Sequence, residues 1–539
     1  MRSRLLRSAL VSACAVLLAA PAGAGAFSAD AELANFAKTL ERERYITLTP
    51  EFLAELHLRS TEALLERAQA LAADPERAPA NACGIKGLEC AGDIRFHDWH
   101  EESAAAVRKS VLFTARSGAT ISGHVWATRS GPGRRPGIVI TTGSVQAPEE
   151  LYWGQAATLA KHGYVVLTYD VQGQGASDTL GEGEDQFESV PAQQGQPFYD
   201  GTEDALDFLL SGPGARYVPR PSCTTGTSHA PKQDRRVEEG FNAAFNPLHD
   251  LVDPDRIGIA GHSLGASGVS FVGQKDPRVD AIVAWDNLSA PNPSAPECAS
   301  APDSRQPPPI AKPALGISND YGIAPQPFTA DPDPQGKNGG FLAYREAGVD
   351  SGEIVIRGGC HEESAFIPVG LTGPYPIPCG TLRGGDLVAW YTTAWLDKYV
   401  KGDQGADARL LSDRWRDDAR GAAVDLNGDA NLFSFYFRSR LDVARASGGR
   451  AACDDLRAGC AVLAPDGGPA DYDFVADAWD TGPGGGQPSG QPPAGGPPGT
   501  NASGPRAKPK LKRSLKKCKR KRGKARKRCI KRTRQGLRS

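Results

Sequence analysis

Two residues almost a hundred positions apart have the types and settings that nucleophilic acyl transfer needs: Ser263 in Gly261-His-Ser-Leu-Gly265, and His361 in Gly358-Gly-Cys-His361. A serine hydroxyl is a weak nucleophile at neutral pH, so it needs a base to take its proton and an acid to orient that base. Gly261 and Gly265 leave room for a sharp strand-to-helix turn that lifts the Ser263 hydroxyl clear of its surroundings. With 62 glycines in 539 residues the pentapeptide alone carries little weight. Its setting carries more: an apolar run, Ile257-Gly-Ile-Ala260, precedes it, and a small-residue helix start, Ala266-Ser-Gly-Val-Ser270, follows. In the chain order serine, acid, histidine that this motif implies, His361 is the one eligible base, because the other eight histidines precede Ser263.

The acid should stand on a loop just after a strand. Asp320 in Gly316-Ile-Ser-Asn-Asp320 does so, and is preferred because its strand lies nearer to His361 in the chain. Asp286 in Ala284-Trp-Asp-Asn287 is the rival, while Asp170 precedes the serine and reads as a loop-structuring residue. A tetrahedral intermediate also needs donors for its oxyanion. The backbone N–H of Leu264 is one, and the loop Thr142-Gly-Ser-Val145 should supply the second, at Ser144. Nothing in this constellation calls for a metal or another cofactor. His97 and His100 lack partners at ligand spacing, and Asp425-Leu-Asn-Gly-Asp429 lacks the glutamate that a calcium loop requires, so it reads as a tight turn.

To position these residues the chain must alternate strands and helices. Val111–Ala115 and Ile121–Trp126 read as an antiparallel hairpin across a Gly118 turn. Buried strands follow at Gly137–Thr141, Tyr164–Tyr169, Ile257–Ala260, Ala281–Trp285, Ala314–Ile317 and Glu353–Arg357, with helices at Pro148–Lys161, Phe198–Leu210 and Leu382–Val400. That pattern predicts an α/β fold: a mostly parallel central sheet with an antiparallel entry hairpin and helices on both faces. Residues 211–246, rich in Gly, Pro and charge, interrupt the alternation as a cap-like insertion. Asp30–Ala73 carries helical periodicity, with Thr49-Pro50-Glu51 as a helix start, and is expected to pack outside the core.

Gly261–Gly265, Gly316–Asp320, Gly359-Cys-His361 and Ala394-Trp-Leu-Asp-Lys-Tyr-Val400 together resemble the α/β-hydrolase superfamily, with the nearest likeness to secreted dienelactone-hydrolase-like and cutinase-like polyester hydrolases. The resemblance covers roughly residues 110–402. It implies the α/β-hydrolase fold, an ester substrate, a second oxyanion donor where Ser144 stands, and a tryptophan, Trp285, walling the acyl site. Leu264 stands where that group usually has methionine, and the insertion and the N-terminal helices also depart from its pattern.

The rest of the chain sets the context. Arg2, Arg4 and Arg7 precede an apolar run, Ala9–Ala20, and small residues to Ala26, which reads as a signal peptide over 1–26 and predicts export. Beyond it remain ten of the eleven cysteines, an even number that suits disulfides in an exported chain. Proximity suggests Cys83 with Cys90, Cys360 with Cys379 and Cys453 with Cys460, which leaves Cys223 with Cys298 and Cys518 with Cys529. The organisation expected is an N-terminal helical appendage (27–109), a catalytic domain (110–402), a C-terminal extension (403–480), a Pro/Gly linker (481–505) and a basic tail (506–539). No stretch after the leader is apolar for long enough to span a membrane. The formal charge of -1 conceals an asymmetry: the tail holds 19 Lys and Arg and no acid, against 43 basic and 63 acidic residues elsewhere. Such a tail suits salt-sensitive adhesion to anionic wall polymers, or is solvated without a partner; it lacks the interleaved aromatics that nucleic-acid stacking uses. Three functions therefore stand: a serine esterase, an amide or peptide hydrolase using the same residues, and a non-catalytic surface-binding protein.

Overall fold

A computed structural model describes residues 49–84, 87–96, 106–186, 195–291, 298, 306–321, 332–366, 382–413 and 433–465. The chain divides into two compact units, Met1–Ser489 and Gly490–Ser539, and every described residue belongs to the first. The leader, His97, His100, Cys379, the turn at 425–429, the linker and the basic tail lie outside the described residues.

The strands are β1 (Ala106–Thr114), β2 (Thr120–Thr128), β3 (Arg135–Thr141), β4 (Val165–Tyr169), β5 (Val252–His262), β6 (Val279–Trp285), β7 (Ala314–Asn319), β8 (Ser351–Ile356), β9 (Ser412–Asp413), β10 (Arg440–Ala444), β11 (Arg450–Cys453) and β12 (Ala464–Pro465). Ten of them make one sheet in the order β1-β2-β4-β3-β5-β6-β7-β8-β10-β11, while β9 and β12 pair separately. From β4 to β8 all pairings are parallel, and β1, β2, β10 and β11 join antiparallel. Strands β3, β4, β7 and β8 are buried at every position, as parallel strands covered on both faces must be. The β1–β2 turn closes through the Ala115 N–H to Ala119 carbonyl bond at 2.8 Å, with Gly118 at φ 86°.

The helices are α1 (Pro50–Ala73), α2 (Trp153–Lys161), α3 (Gln196–Leu209), α4 (Ala230–Glu238), α5 (Leu264–Lys275), α6 (Gly339–Glu346), α7 (Leu382–Tyr399) and α8 (Ala406–Leu410). Alternate strand residues face opposite sides. Ile138 and Ile140 join Trp390 and Trp395 of α7 in one core, while Val139 joins Phe198 of α3 and Phe271 of α5 in the other. Helix α1 begins where Thr49 Oγ1 accepts the Phe52 N–H at 3.1 Å, ahead of Pro50 in its first turn. It buries Phe52 and Leu56 in a small cluster of their own with Ala91, Ile94 and Phe366, apart from both main cores.

Two expectations change on the structure. The insertion does not read as a cap: α4 and the residues after it lie along β1, the outer edge of the sheet. Gln233 Oε1 accepts the Thr114 N–H at 2.9 Å, the Ala243 N–H donates to the Leu112 carbonyl at 2.8 Å, and Arg236 reaches Asp74. Covering an edge strand protects its unpaired backbone groups, and β1 stands four strands from β5, roughly 19 Å at ordinary strand spacing. Nor does the C-terminal extension expected over 403–480 stand outside the central sheet, because β10 pairs with β8 and β11 with β10, carrying the sheet onward and burying Leu441, Val443 and Ala451 in the main core. The disulfides Cys83–Cys90, Cys223–Cys298 and Cys453–Cys460 are formed, and Cys360 is also disulfide-bonded. Among the described residues no helix is long and apolar enough to cross a membrane.

Candidate functional site

Ser263 stands between β5 and α5 with φ 58° and ψ -119°, backbone that a residue with a Cβ adopts only under constraint. The constraint is visible at the flanking glycines. A Cβ on Gly261 would lie 2.4 Å from the Gly265 carbonyl oxygen, and one on Gly265 would lie 2.4 Å from that of Thr142. The elbow is thus pressed against itself and against the end of β3. Ser263 also donates its N–H to the Trp285 carbonyl at 2.9 Å, which ties it to the end of β6. Its side chain is partly exposed, as are Asp286 and His361.

His361 lies on the loop after β8. Its ring packs 4.6 Å, centroid to centroid, from His262, and its backbone carbonyl accepts from His262 Nε2 at 2.7 Å, so it stands against the residue preceding Ser263. Its Nδ1 donates to Asp286 Oδ2 at 2.6 Å. Burial by itself would lower the His361 pKa, but the hydrogen bond and charge of Asp286 outweigh it and raise it above the ordinary histidine value. Burial pushes the other way on Asp286, and there His361, Lys337 and His262 prevail and hold its carboxyl below its usual range.

The expected acid, Asp320, does not meet His361. Its Oδ2 accepts from Arg357 Nη1 at 2.9 Å and from the Gly358 N–H at 2.7 Å, and its Oδ1 accepts from the Ser434 hydroxyl. Both Asp320 and Arg357 are buried. The cause lies in lateral order: β6 is the immediate neighbour of β5, so the residue after β6 stands beside the elbow, and the loop after β8 leans back over β7 to reach it. Chain proximity to His361 pointed at the wrong strand end.

Leu264 opens α5, and a first-turn N–H has no partner within its own helix. The loop after β3 passes close by, since a Cβ on Gly143 would come 3.4 Å from Ser263 Cβ. The Gly143 N–H is already committed to the Tyr152 hydroxyl at 3.1 Å. Ser144 follows it, half-buried, with Val145 and Gln146 at φ 64° and 59° in the same turn. Trp285 is not set as an open wall. Its indole is 1 % exposed and faces the α7 side of the core, where Nε1 donates to Thr392 Oγ1 at 3.0 Å and the ring lies parallel to Tyr152 at 6.3 Å.

Sequence reasoning passed over His262 and Tyr152, for which the motif carries no signal, and Glu362. The Glu362 carboxyl is raised by burial and by Asp286, against the pull of His361. Among the described residues no group of three or more His, Cys, Asp or Glu is arranged to hold a metal ion. A cleft of about 390 Å³ lies elsewhere, between α1 and the β1–β2 edge, lined by Arg67, Arg77 and Arg108. Its cations are engaged within the fold: Arg67 with Glu150, Arg77 with the Ala176 carbonyl, and Arg108 over the Trp153 ring. No family model matches the chain, and no curated protein matches it.

Proposed function

We propose that the chain is a secreted serine hydrolase that cleaves carboxylic esters through an acyl-enzyme, with Ser263 as nucleophile, His361 as base and Asp286 as the acid that orients it. One observation carries the reading: a serine is held at φ 58° on a strand-to-helix turn, and the residue before it, His262, packs on and hydrogen-bonds to His361, whose Nδ1 is bound by a carboxylate. Asp286 fixes the His361 proton on Nδ1, which leaves Nε2 as the basic nitrogen. Ser263 Oγ attacks the ester carbonyl carbon as its proton passes to Nε2, and the carbonyl π electrons move onto oxygen. Collapse of that intermediate breaks the bond to the alcohol, which leaves with the proton from His361. Water then repeats the sequence and releases the acid. The Leu264 N–H and a donor of the loop after β3, assigned to Ser144, hold the oxyanion.

The strand order, the antiparallel second strand and a nucleophile after the fifth strand support an α/β-hydrolase fold of the secreted dienelactone-hydrolase-like and cutinase-like kind. The disulfides and the leader-like N-terminus support export. A fluorophosphonate probe should label the protein stoichiometrically at Ser263, and Ser263→Ala should abolish both labelling and p-nitrophenyl ester turnover. A folded protein that resists the probe sinks the proposal. Faster turnover of aminoacyl anilides than of matched esters would move the assignment to amide hydrolysis by the same residues.

A further inference from the structure

The buried pair Tyr152–His262 joins three of the four segments from which the site is made, the loop after β3, the elbow and the loop after β8. Tyr152 precedes α2 and is fully buried, and His262, the residue before Ser263, is 2 % exposed. The direction of every hydrogen bond between them follows from the partners. His262 Nε2 faces the His361 carbonyl at 2.7 Å, and a carbonyl only accepts, so Nε2 carries the ring proton. Burial, with the charge of His361 beside it, lowers the His262 pKa to about 3, so the ring is neutral and Nδ1 bears a lone pair. The Tyr152 hydroxyl, 2.7 Å away, therefore donates to Nδ1, and its oxygen accepts the Gly143 N–H at 3.1 Å. One unbranched chain of three hydrogen bonds runs from the loop after β3, through the elbow, to the loop that carries His361.

That chain sets two things the reaction requires. It holds the Gly143 N–H on the Tyr152 hydroxyl, which removes it as an oxyanion donor and leaves that role in this loop to a later N–H, assigned to Ser144. It also anchors the backbone of the base itself. We propose that Tyr152 and His262 are positioning residues of the hydrolase, acting through the oxyanion loop and through His361 without touching substrate. This inference rests on the serine-hydrolase reading. A transition-state effect is expected, because misplacing a preorganised donor weakens the tetrahedral intermediate more than it weakens bound ester.

The test compares the parent with Tyr152→Phe, His262→Asn and His262→Gln, each checked for folding by its melting temperature. Tyr152→Phe removes only the hydroxyl. Asparagine keeps an acceptor where Nδ1 stands, and glutamine keeps a donor that reaches where Nε2 stands. Tyr152→Phe should lower kcat for a p-nitrophenyl ester by roughly 10- to 100-fold with KM within about threefold, a fraction of what losing an oxyanion donor outright costs. The inhibition constant for phenylboronic acid, which forms a tetrahedral adduct, should rise by a similar factor. His262→Asn should retain more of the boronate affinity than His262→Gln. His262→Gln should retain more of the parent pH profile, because it keeps the link to His361. A folded Tyr152→Phe with parental kcat and boronate affinity overturns the positioning role alone. Absence of ester turnover in the parent overturns it together with the catalytic reading.

Discussion

The carboxylates of Asp286 and Asp320 each follow a strand of the same sheet, and their neighbours set them to different tasks. Asp286 is partly exposed and bound to His361 Nδ1, whereas Asp320 is buried and bound to Arg357 and the Gly358 N–H. Asp286→Asn should therefore lower kcat/KM by about 10³-fold or more, by analogy with triads whose orienting acid is neutralised, with little change in melting temperature. Asp320→Asn should leave a buried guanidinium short of its counter-charge and cost on the order of 3 kcal/mol of stability, visible in a denaturant melt. The reverse pattern, a well-folded but inactive Asp320→Asn beside an active Asp286→Asn, would restore Asp320 as the acid. The pH profile follows from the same pair. His361 accepts a proton only while neutral, and Asp286 raises its pKa, so kcat/KM should fall as pH drops through a midpoint above the ordinary 6.5. In Asp286→Asn that midpoint should move to lower pH. The strand-to-helix turn at Ser263 and the place of His361 after a later strand were legible in the sequence because motif and chain order constrain them. Which aspartate meets His361 was not, because two aspartates follow strands in the permitted interval and only side-chain direction separates them.

At the scale of elements, the elbow works because β5 and α5 meet with almost no space between them. A Cβ on Gly265 would meet backbone atoms at both Thr141 and Thr142, neither of which can rotate away. Gly265→Ala should accordingly displace the end of β3 from the elbow and destabilise the protein by roughly 1–3 kcal/mol, the usual range for overpacking. Because that strand end leads into the loop proposed to hold the oxyanion, kcat should fall more than KM rises. An alanine variant with parental kcat and melting temperature would show that the loop is not held there. Of the eight principal strands, the six parallel ones were readable from apolar runs bounded by turn residues, since parallel strands buried on both faces leave that mark, and β1 and β2 were readable from the turn between them. Strands β10 and β11 were not. Arg440-Leu-Asp-Val-Ala444 and Arg450-Ala-Ala-Cys453 are short, with charged residues at the sheet margin. They become strands by pairing with β8 and with each other, through contacts that no local pattern records.

Across the whole molecule, the sheet carries buried acids whose protonation bears on stability. Glu353 of β8 fills the space left by Gly316 on β7 and accepts from the Ser318 hydroxyl. Burial, reinforced by the charge of Asp286, raises its pKa from 4.5 to about 8, against the Ser318 hydrogen bond. The folded state thus holds a proton that the unfolded chain loses near pH 4.5, so this contribution is complete at low pH and is lost as pH rises toward and through 8. Glu353→Gln should match the parent below about pH 5 and exceed it by a few kcal/mol at pH 9 in urea melts. A parent-minus-variant difference that stays flat with pH would mean that Glu353 is ionised in the fold. The sequence alone determined the α/β alternation, the strand-to-helix turn at Ser263 and the place of His361 after a strand, because each is written in local pattern or in chain order. Tertiary structure decided which aspartate meets His361, where the insertion lies, and that Tyr152 and His262 bridge three loops. Those outcomes depend on the lateral order of strands and the direction of side chains, which arise only when segments distant in the chain pack together.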